Sequence, residues 1–140
     1  FNIFGPRQDP ASPYSGVISI FARAMIDGRA PMIHGDGEQS RDFTYVDNVV
    51  EANLRACAME KTAGQVYNIG CARAITINQL VQAINTALGS ELVPKHVTSR
   101  SGDVRVSLAD ITAARDTLGY SPTTAFEEGL ARTLDWMKGD

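Results

Sequence analysis

Strand-like segments alternate with segments of helical period along this chain, and that alternation predicts an α/β fold. Two further observations support it. Helical segments open near Ser, Thr or Asp and close at a glycine, the residue pattern of helix ends. The strands are short, only about four in number, and carry the aromatic and β-branched residues that suit a pleated surface. Four such strands are thin for an independent doubly wound sheet. No internal repeat or low-complexity linker interrupts the pattern.

In chain order, Phe1 to Phe4 reads as the end of a strand, stopped by Gly5-Pro6. A polar loop with Pro10 and Pro13 follows. A helix is expected from about Ser15 to Asp27, with Ile18, Phe21, Ala24 and Met25 on one face and Gly28 as its stop. Pro31 to His34 is a short strand. Asp36-Gly37 is a turn, and Phe43 to Val46 is a strand. Thr44 and Asp47 have capping-box spacing at the start of a helix reaching about Glu60, whose apolar positions are Val46, Val49, Val50, Leu54 and Cys57.

Val66 to Gly70 reads as a second buried strand. Thr76 and Gln79 form another capping box, opening a helix with Ile77, Leu80, Val81, Ile84 and Leu88 inward and Gly89 at its end. Leu92 to Thr98 reads as a strand, and Ser99 to Ser107 as a polar loop with two arginines. Asp110 caps a short helix that Gly119 stops. Thr124 and Glu127 cap the last helix, which turns Phe126, Leu130, Leu134 and Met137 inward.

A chain of 140 residues can bury one core. Its net charge of −3 argues against a broad basic face for nucleic acid or anionic membrane, so any anion site must be local. Cys57 and Cys71 have no CxxC pattern and no neighbouring histidine, which argues against zinc and for reduced thiols in a cytoplasmic protein. No apolar run approaches the length of a membrane span and no signal-peptide pattern is present. The opening Phe-Asn-Ile-Phe-Gly-Pro, with no initiator Met, reads as a cut inside a larger protein.

The stretch from Gly35 to Asp47 organises the rest: a glycine turn, a short strand and a helix start. Arg41 lies between turn and strand. A guanidinium there can be aimed at an anion, with a fork that suits phosphate. The alternative is a surface arginine paired with Asp42 or Glu38.

This stretch resembles the substrate-binding part of the extended short-chain dehydrogenase/reductase family, the nucleotide-sugar epimerases and dehydratases. The shared pattern is a glycine turn, Arg-Asp-aromatic, then a hydrophobic residue and Asp leading into a helix, and it fits from Gly35 to Ala52. The resemblance extends over nearly all of the chain and is to the C-terminal part of the family's chain. It therefore implies a fragment of an extended Rossmann-type epimerase: mostly the smaller substrate domain, with a few strands and helices of the Rossmann part. The segment Gln8-Asp9-Pro10-Ala11-Ser12-Pro13-Tyr14 resembles the branch of the UDP-N-acetylglucosamine and UDP-glucose 4-epimerases of polysaccharide biosynthesis.

Residue by residue, the resemblance implies that Asn2, in Phe-Asn-Ile-Phe-Gly, contacts a nucleotide-sugar and that Gln8 reaches the sugar. The strand of Met32 and His34 would grip uracil, chiefly by its backbone. Arg41 and Arg100 would clamp the diphosphate from two loops, with charge-assisted bonds about twice as strong as neutral ones. Arg100-Ser101-Gly102-Asp103 matches the family's Arg-x-Gly-Asp loop, whose acid can reach the ribose. Ser107 would lie near the sugar nucleotide, and Arg105 would solvate the loop or pair with Asp103. Asn68, in Tyr-Asn-Ile-Gly, matches a substrate-side asparagine of the dehydratases, with a strand-end asparagine satisfying backbone as the alternative.

Two family features are missing from the sequence. No Gly-x-x-Gly-x-x-Gly turn is present, and none of the four tyrosines is followed by lysine four positions on. The expectation is NAD in a parent enzyme and none for this chain alone, with no catalytic residue and no metal ligand here. The partners implied are a UDP-sugar and either a missing N-terminal NAD-binding half or another copy of the chain. A 4,6-dehydratase, a reductase or a non-catalytic nucleotide-sugar-binding module are the alternatives.

Overall fold

In chain order the elements are β1 (Asn2–Phe4), α1 (Val17–Ile26), β2 (Met32–His34), β3 (Ser40–Tyr45), α2 (Val46–Ala58), β4 (Ala74–Thr76), α3 (Ile77–Leu88), β5 (Lys95–Val97), β6 (Val106–Ser107), α4 (Thr112–Leu118) and α5 (Phe126–Lys138). The computed structural model describes residues 2–12 and 16–139, and only the backbone of Lys61. The expected strand residue Phe1 and the helix start at Ser15 lie outside the described residues.

β3 is the strand on which the sheet is built. Its C-terminal half runs parallel to β1, with Asn2 opposite Phe43 and Phe4 opposite Tyr45. Its N-terminal half is antiparallel to β4, Ser40 facing Thr76, and parallel to β6, Arg41 facing Ser107. β2 and β5 form a separate parallel pair, with His34 opposite Val97.

Three helices cover one side. Ile18, Phe21, Ala22 and Met25 of α1, Ile77, Leu80, Val81 and Ile84 of α3, and Phe126, Leu130, Leu134 and Met137 of α5 recur at helical spacing and are buried together. Leu80 and Ile84 are each 0% exposed, and burying such a side chain contributes about 1.5–3 kcal/mol. Phe4 meets Tyr45 edge-on at 5.6 Å, and Phe126 stacks on Phe43 at 5.8 Å. A second, smaller core joins Ala52 of α2 to Ala114, Leu118 and Tyr120.

The Thr76–Gln79 capping box forms as its spacing predicts, with Gln79 N donating to Thr76 Oγ1 at 3.1 Å and Thr76 N donating to Gln79 Oε1 at 2.9 Å. Two expected caps do not form. α2 begins after Tyr45 with no side-chain cap, and Thr44 lies inside β3 with its hydroxyl buried and unpartnered. α5 begins after Ala125, and Glu127 pairs instead with Arg73 at 2.6 Å. Asp110 does act at the start of α4, accepting the Thr112 N–H at 2.9 Å, and that backbone bond holds its carboxyl below the usual range.

Two apolar patterns also differ from expectation. Val66 to Gly70 is not a strand: Val66 is 92% exposed, while Tyr67 and Ile69 lean on the second core. The alternation is real, but no neighbouring strand among the described residues offers a ladder. On α2, Val50 and Leu54 are 50% and 61% exposed, and the buried positions are Asn48 and Ala52.

Asn48 is drawn inward by hydrogen bonds. Its Oδ1 accepts from the N–H groups of Thr123 and Thr124, both at 2.9 Å, and its Nδ2 donates to Thr124 O at 2.9 Å. Asp42 plays the same part under β3. It is 0% exposed and accepts three backbone N–H groups, Cys71 and Ala72 at 2.9 Å and Ala109 at 3.2 Å. A buried carboxylate is tolerated only when so compensated. Ala72 is held at φ 51°, a left-handed conformation rare for a residue with a side chain. Gly70 has no room for a Cβ, which would lie 2.5 Å from Ala109 Cβ and 2.8 Å from Asp42 Oδ2. Tyr120 closes the arrangement by donating to Gly70 O at 2.9 Å. Burial, with the nearby Cys71 and Asp42 charges, pushes its phenol up to about 12.

Candidate functional site

β2 ends at His34, a turn through Gly35 and Gly37 reverses the chain, and β3 starts at Ser40. The segment after β5 comes back along the same rim. Between them lies an open hollow of about 440 Å³ lined by His34, Asp36, Gln39, Arg100, Asp103 and Arg105.

Arg41 ties the returning segment to β3. Its Nη1 donates to Ser40 O at 2.8 Å and Val104 O at 2.5 Å, and its Nη2 donates to Asp103 Oδ1 at 2.5 Å. The Ser40 N–H donates to Arg105 O at 2.9 Å. Arg41 thus pairs with neither neighbour proposed for it: Asp42 points inward, and Glu38 accepts from Asn78 at 2.6 Å. Gln39 reaches across the hollow, its Nε2 donating to His34 O at 2.8 Å and approaching Asp103 Oδ2 at 3.4 Å. Arg100 Nη2 lies 3.1 Å from His34 Nε2. Arg105 pairs with Asp36 at 2.7 Å rather than with Asp103, and this guanidinium holds the Asp36 carboxyl below the usual carboxylate range.

The hollow therefore gathers His34, Arg100 and Asp103, with Arg41 attached through Asp103. Ser107 is beside Arg41 in the sheet, on β6. Asn2 and Gln8 meet elsewhere, in a cavity of about 30 Å³ between β1 and the start of α1. Gln8 Oε1 is buried there without a partner. Met32 is 56% exposed on β2. Asn68 lies apart from both places, its Nδ2 facing Asp110 O at 3.4 Å.

Sequence reasoning missed Gln39 and Asp36 as lining residues. For Asp36 the Asp-Gly dipeptide marked the turn, but its partner Arg105 is 69 residues away, beyond any local spacing. Gln39 carried no signal at all. Among the described residues, no three His, Cys, Asp or Glu side chains gather to hold a metal ion, and no helix is long and apolar enough to cross a membrane.

A family model described as the NAD dependent epimerase/dehydratase family matches residues 1–70, half of the chain. The chain belongs to that family. It is 39% identical over 137 residues to a UDP-glucose 4-epimerase of Mycolicibacterium smegmatis, a match that covers 98% of this chain and 43% of that protein. The crystal structure of the Thermotoga maritima UDP-glucose 4-epimerase with UDP-glucose superposes with a TM-score of 0.92 at 43% identity, covering 99% of this chain and 44% of that one. The Methanobrevibacter ruminantium UDP-N-acetylglucosamine 4-epimerase, in complex with UDP-N-acetylmuramic acid, gives 0.92 at 41% identity with the same coverage. The chain spans less than half the length of each, and these matches confirm the mixed α/β, Rossmann-type epimerase fold.

The family name implies NAD, and at two strand-to-helix junctions of this epimerase/dehydratase chain, β3–α2 and β4–α3, the residues do not form a cradle for its pyrophosphate. Such a cradle is a glycine turn that leaves helix amides open to the anion. β3 passes into α2 at Tyr45-Val46 with no glycine, and the first turn of α3 is closed by the Thr76–Gln79 box.

Proposed function

We propose that this chain holds a UDP-sugar as the C-terminal part of an NAD-dependent sugar-nucleotide 4-epimerase. The observation that carries the reading is the meeting of the Arg41 and Arg100 loops at Asp103, on the rim of one charged hollow. Arg41 uses three N–H groups on Ser40, Val104 and Asp103, which leaves two of a guanidinium's five donors for an anion. In this reading Arg41 and Arg100 take the diphosphate, Asp103 accepts from the ribose, and the backbone of Met32–His34 reads the uracil. Ser107 lies on the sugar side. Asn2 and Gln8 face the sugar, and the unpartnered Gln8 Oε1 supports an acceptor role. Asn68 has the weakest support, since it sits apart from both clusters.

The hydride chemistry of such an enzyme needs a held cofactor and a placed base. In this reading both come from outside this chain, whose part is to position the sugar. The exposed Val50 and Leu54 of α2 and the unpaired Val66 support a partner here, either an NAD-binding half or a second copy. The test is a UDP-glucose titration of the 140-residue chain by calorimetry. Arg41→Ala should weaken binding by about 1.5–3 kcal/mol, the scale of a hydrogen bond to a charged group. An affinity equal to that of the parent chain would overturn the clamp.

A further inference from the structure

Both ring nitrogens of His34 have partners, and the partners dictate where its proton sits. Nδ1 lies 3.2 Å from Thr98 O, a carbonyl oxygen that only accepts. Nε2 lies 3.1 Å from Arg100 Nη2, part of a guanidinium that only donates. The imidazole must therefore carry its proton on Nδ1 and present the Nε2 lone pair to Arg100. It has to be neutral to do so.

The geometry points to His34 as a positioning residue: its neutral imidazole aims the Arg100 guanidinium into the hollow. The inference rests on the proposed diphosphate role of Arg100. It adds to the backbone reading of β2 a task for the side chain, which acts through an arginine and leaves choice of base alone.

Neither neighbouring carboxylate is a partner of the ring, whose contacts are Thr98 O and Arg100. Asp36 is taken by Arg105 at 2.7 Å, and Asp103 by Arg41 at 2.5 Å. Gln39 binds the His34 carbonyl, not its ring. On β5, exposed Lys95 adds positive charge, and His96 faces Gly35 O at 2.8 Å. A second ring proton on His34 would set N–H against N–H, both cationic, and the contact with Arg100 would open.

Two measurements test this on the 140-residue chain. The first is ¹⁵N NMR of the His34 ring at about pH 8, where imidazole is neutral. A protonated Nδ1 with a bare Nε2 is expected, and an Nε2–H tautomer overturns the proposal. The second is UDP-glucose titration, since its diphosphate stays doubly charged across the histidine range. His34→Phe should weaken binding about fivefold, the scale of one hydrogen bond. It should add nothing on an Arg100→Ala background, the non-additivity expected of a residue that acts through another.

His34→Gln, whose amide oxygen can accept from Arg100, should restore most of the affinity. The preference for UDP-glucose over GDP-glucose should be the same in every variant. A full His34→Phe effect without Arg100 would overturn the positioning role. If the parent chain binds no UDP-glucose, the proposed function falls, and the ring tautomer still decides whether His34 holds Arg100.

Discussion

Asp42 and Asp36 are both carboxylates held by donors, six residues apart, and they do different work. Asp42 is 0% exposed and binds three backbone amides from two distant segments. Asp36 sits on the rim of the hollow with its side chain 58% exposed, paired to an Arg105 that is 62% exposed. The first has no water to fall back on, so its bonds decide whether residues 70–72 and 109 stay against β3. The second exchanges freely with solvent, where an ion pair contributes little. Polar residues of a single stretch thus divide into a scaffold beneath β3 and a charged rim above it. The rim is the part free to trade its partners for a ligand.

Three substitutions can break or sharpen that division. The largest effect is expected for Asp42→Ala, which leaves three backbone donors unpaired, Ala109 buried and Cys71 and Ala72 partly so. Each such group costs about 1–3 kcal/mol, so a loss of about 3–5 kcal/mol in urea denaturation is expected. A loss below about 1 kcal/mol would mean that water reaches the site and the scaffold is no scaffold.

Tyr120→Phe removes one buried bond, to Gly70 O, and should cost about 1 kcal/mol near neutral pH. It should also change the alkaline limb. The folded phenol titrates at about 12 against 10.0 for the ordinary group. Its raised value means that the neutral phenol's contribution is whole below pH 10 and is lost as pH climbs toward 12. The difference in stability between parent and variant should therefore shrink over that window, and a constant difference would refute the coupling.

The smallest effect is expected on the rim. Arg105→Gln should leave the thermal midpoint unchanged within error, at low and high salt alike. A clear drop would show that the Asp36–Arg105 pair is part of the scaffold after all.

What was legible in the sequence was local. The Thr76–Gln79 box, the three core helices and the turn at Asp36-Gly37 follow from spacings of a few residues, and the structure has them all. The same capping pattern misled at Thr44 and Thr124, because neither residue is available. Thr44 is inside β3, and the Thr124 backbone is bound by Asn48. Periodicity likewise marked Val66 to Gly70 as strand-like but could not supply a neighbour to pair with. Helical spacing pointed to Val46, Val49, Val50, Leu54 and Cys57, although Asn48 and Ala52, four positions apart, form the buried face of α2. Of the candidate site, the Arg41 and Arg100 loops do share a rim. The sequence could not tell that Arg41 would be bound to Asp103 or Arg105 to Asp36, since those partners lie 62 and 69 residues away.

That reach in sequence has a consequence for the nascent chain. Asp42 is translated 29 residues ahead of Cys71 and 67 ahead of Ala109. At 5–20 residues per second, the wait for the last of its amides is roughly 3–13 s. β3 emerges with β1 already made, but β4 and β6 are still to come. Until they arrive the Asp42 carboxylate must keep its water, and the strand cannot be sealed. Asn48 waits longer still, 75 residues, for the Thr123 amide. Among the described elements, the sheet is thus begun at β1 and closed only once β6 has followed. A transcript stopped short of Ala109 would yield a polypeptide with α1, α2 and α3 but a central strand whose Asp42 lacks the last of its three amides.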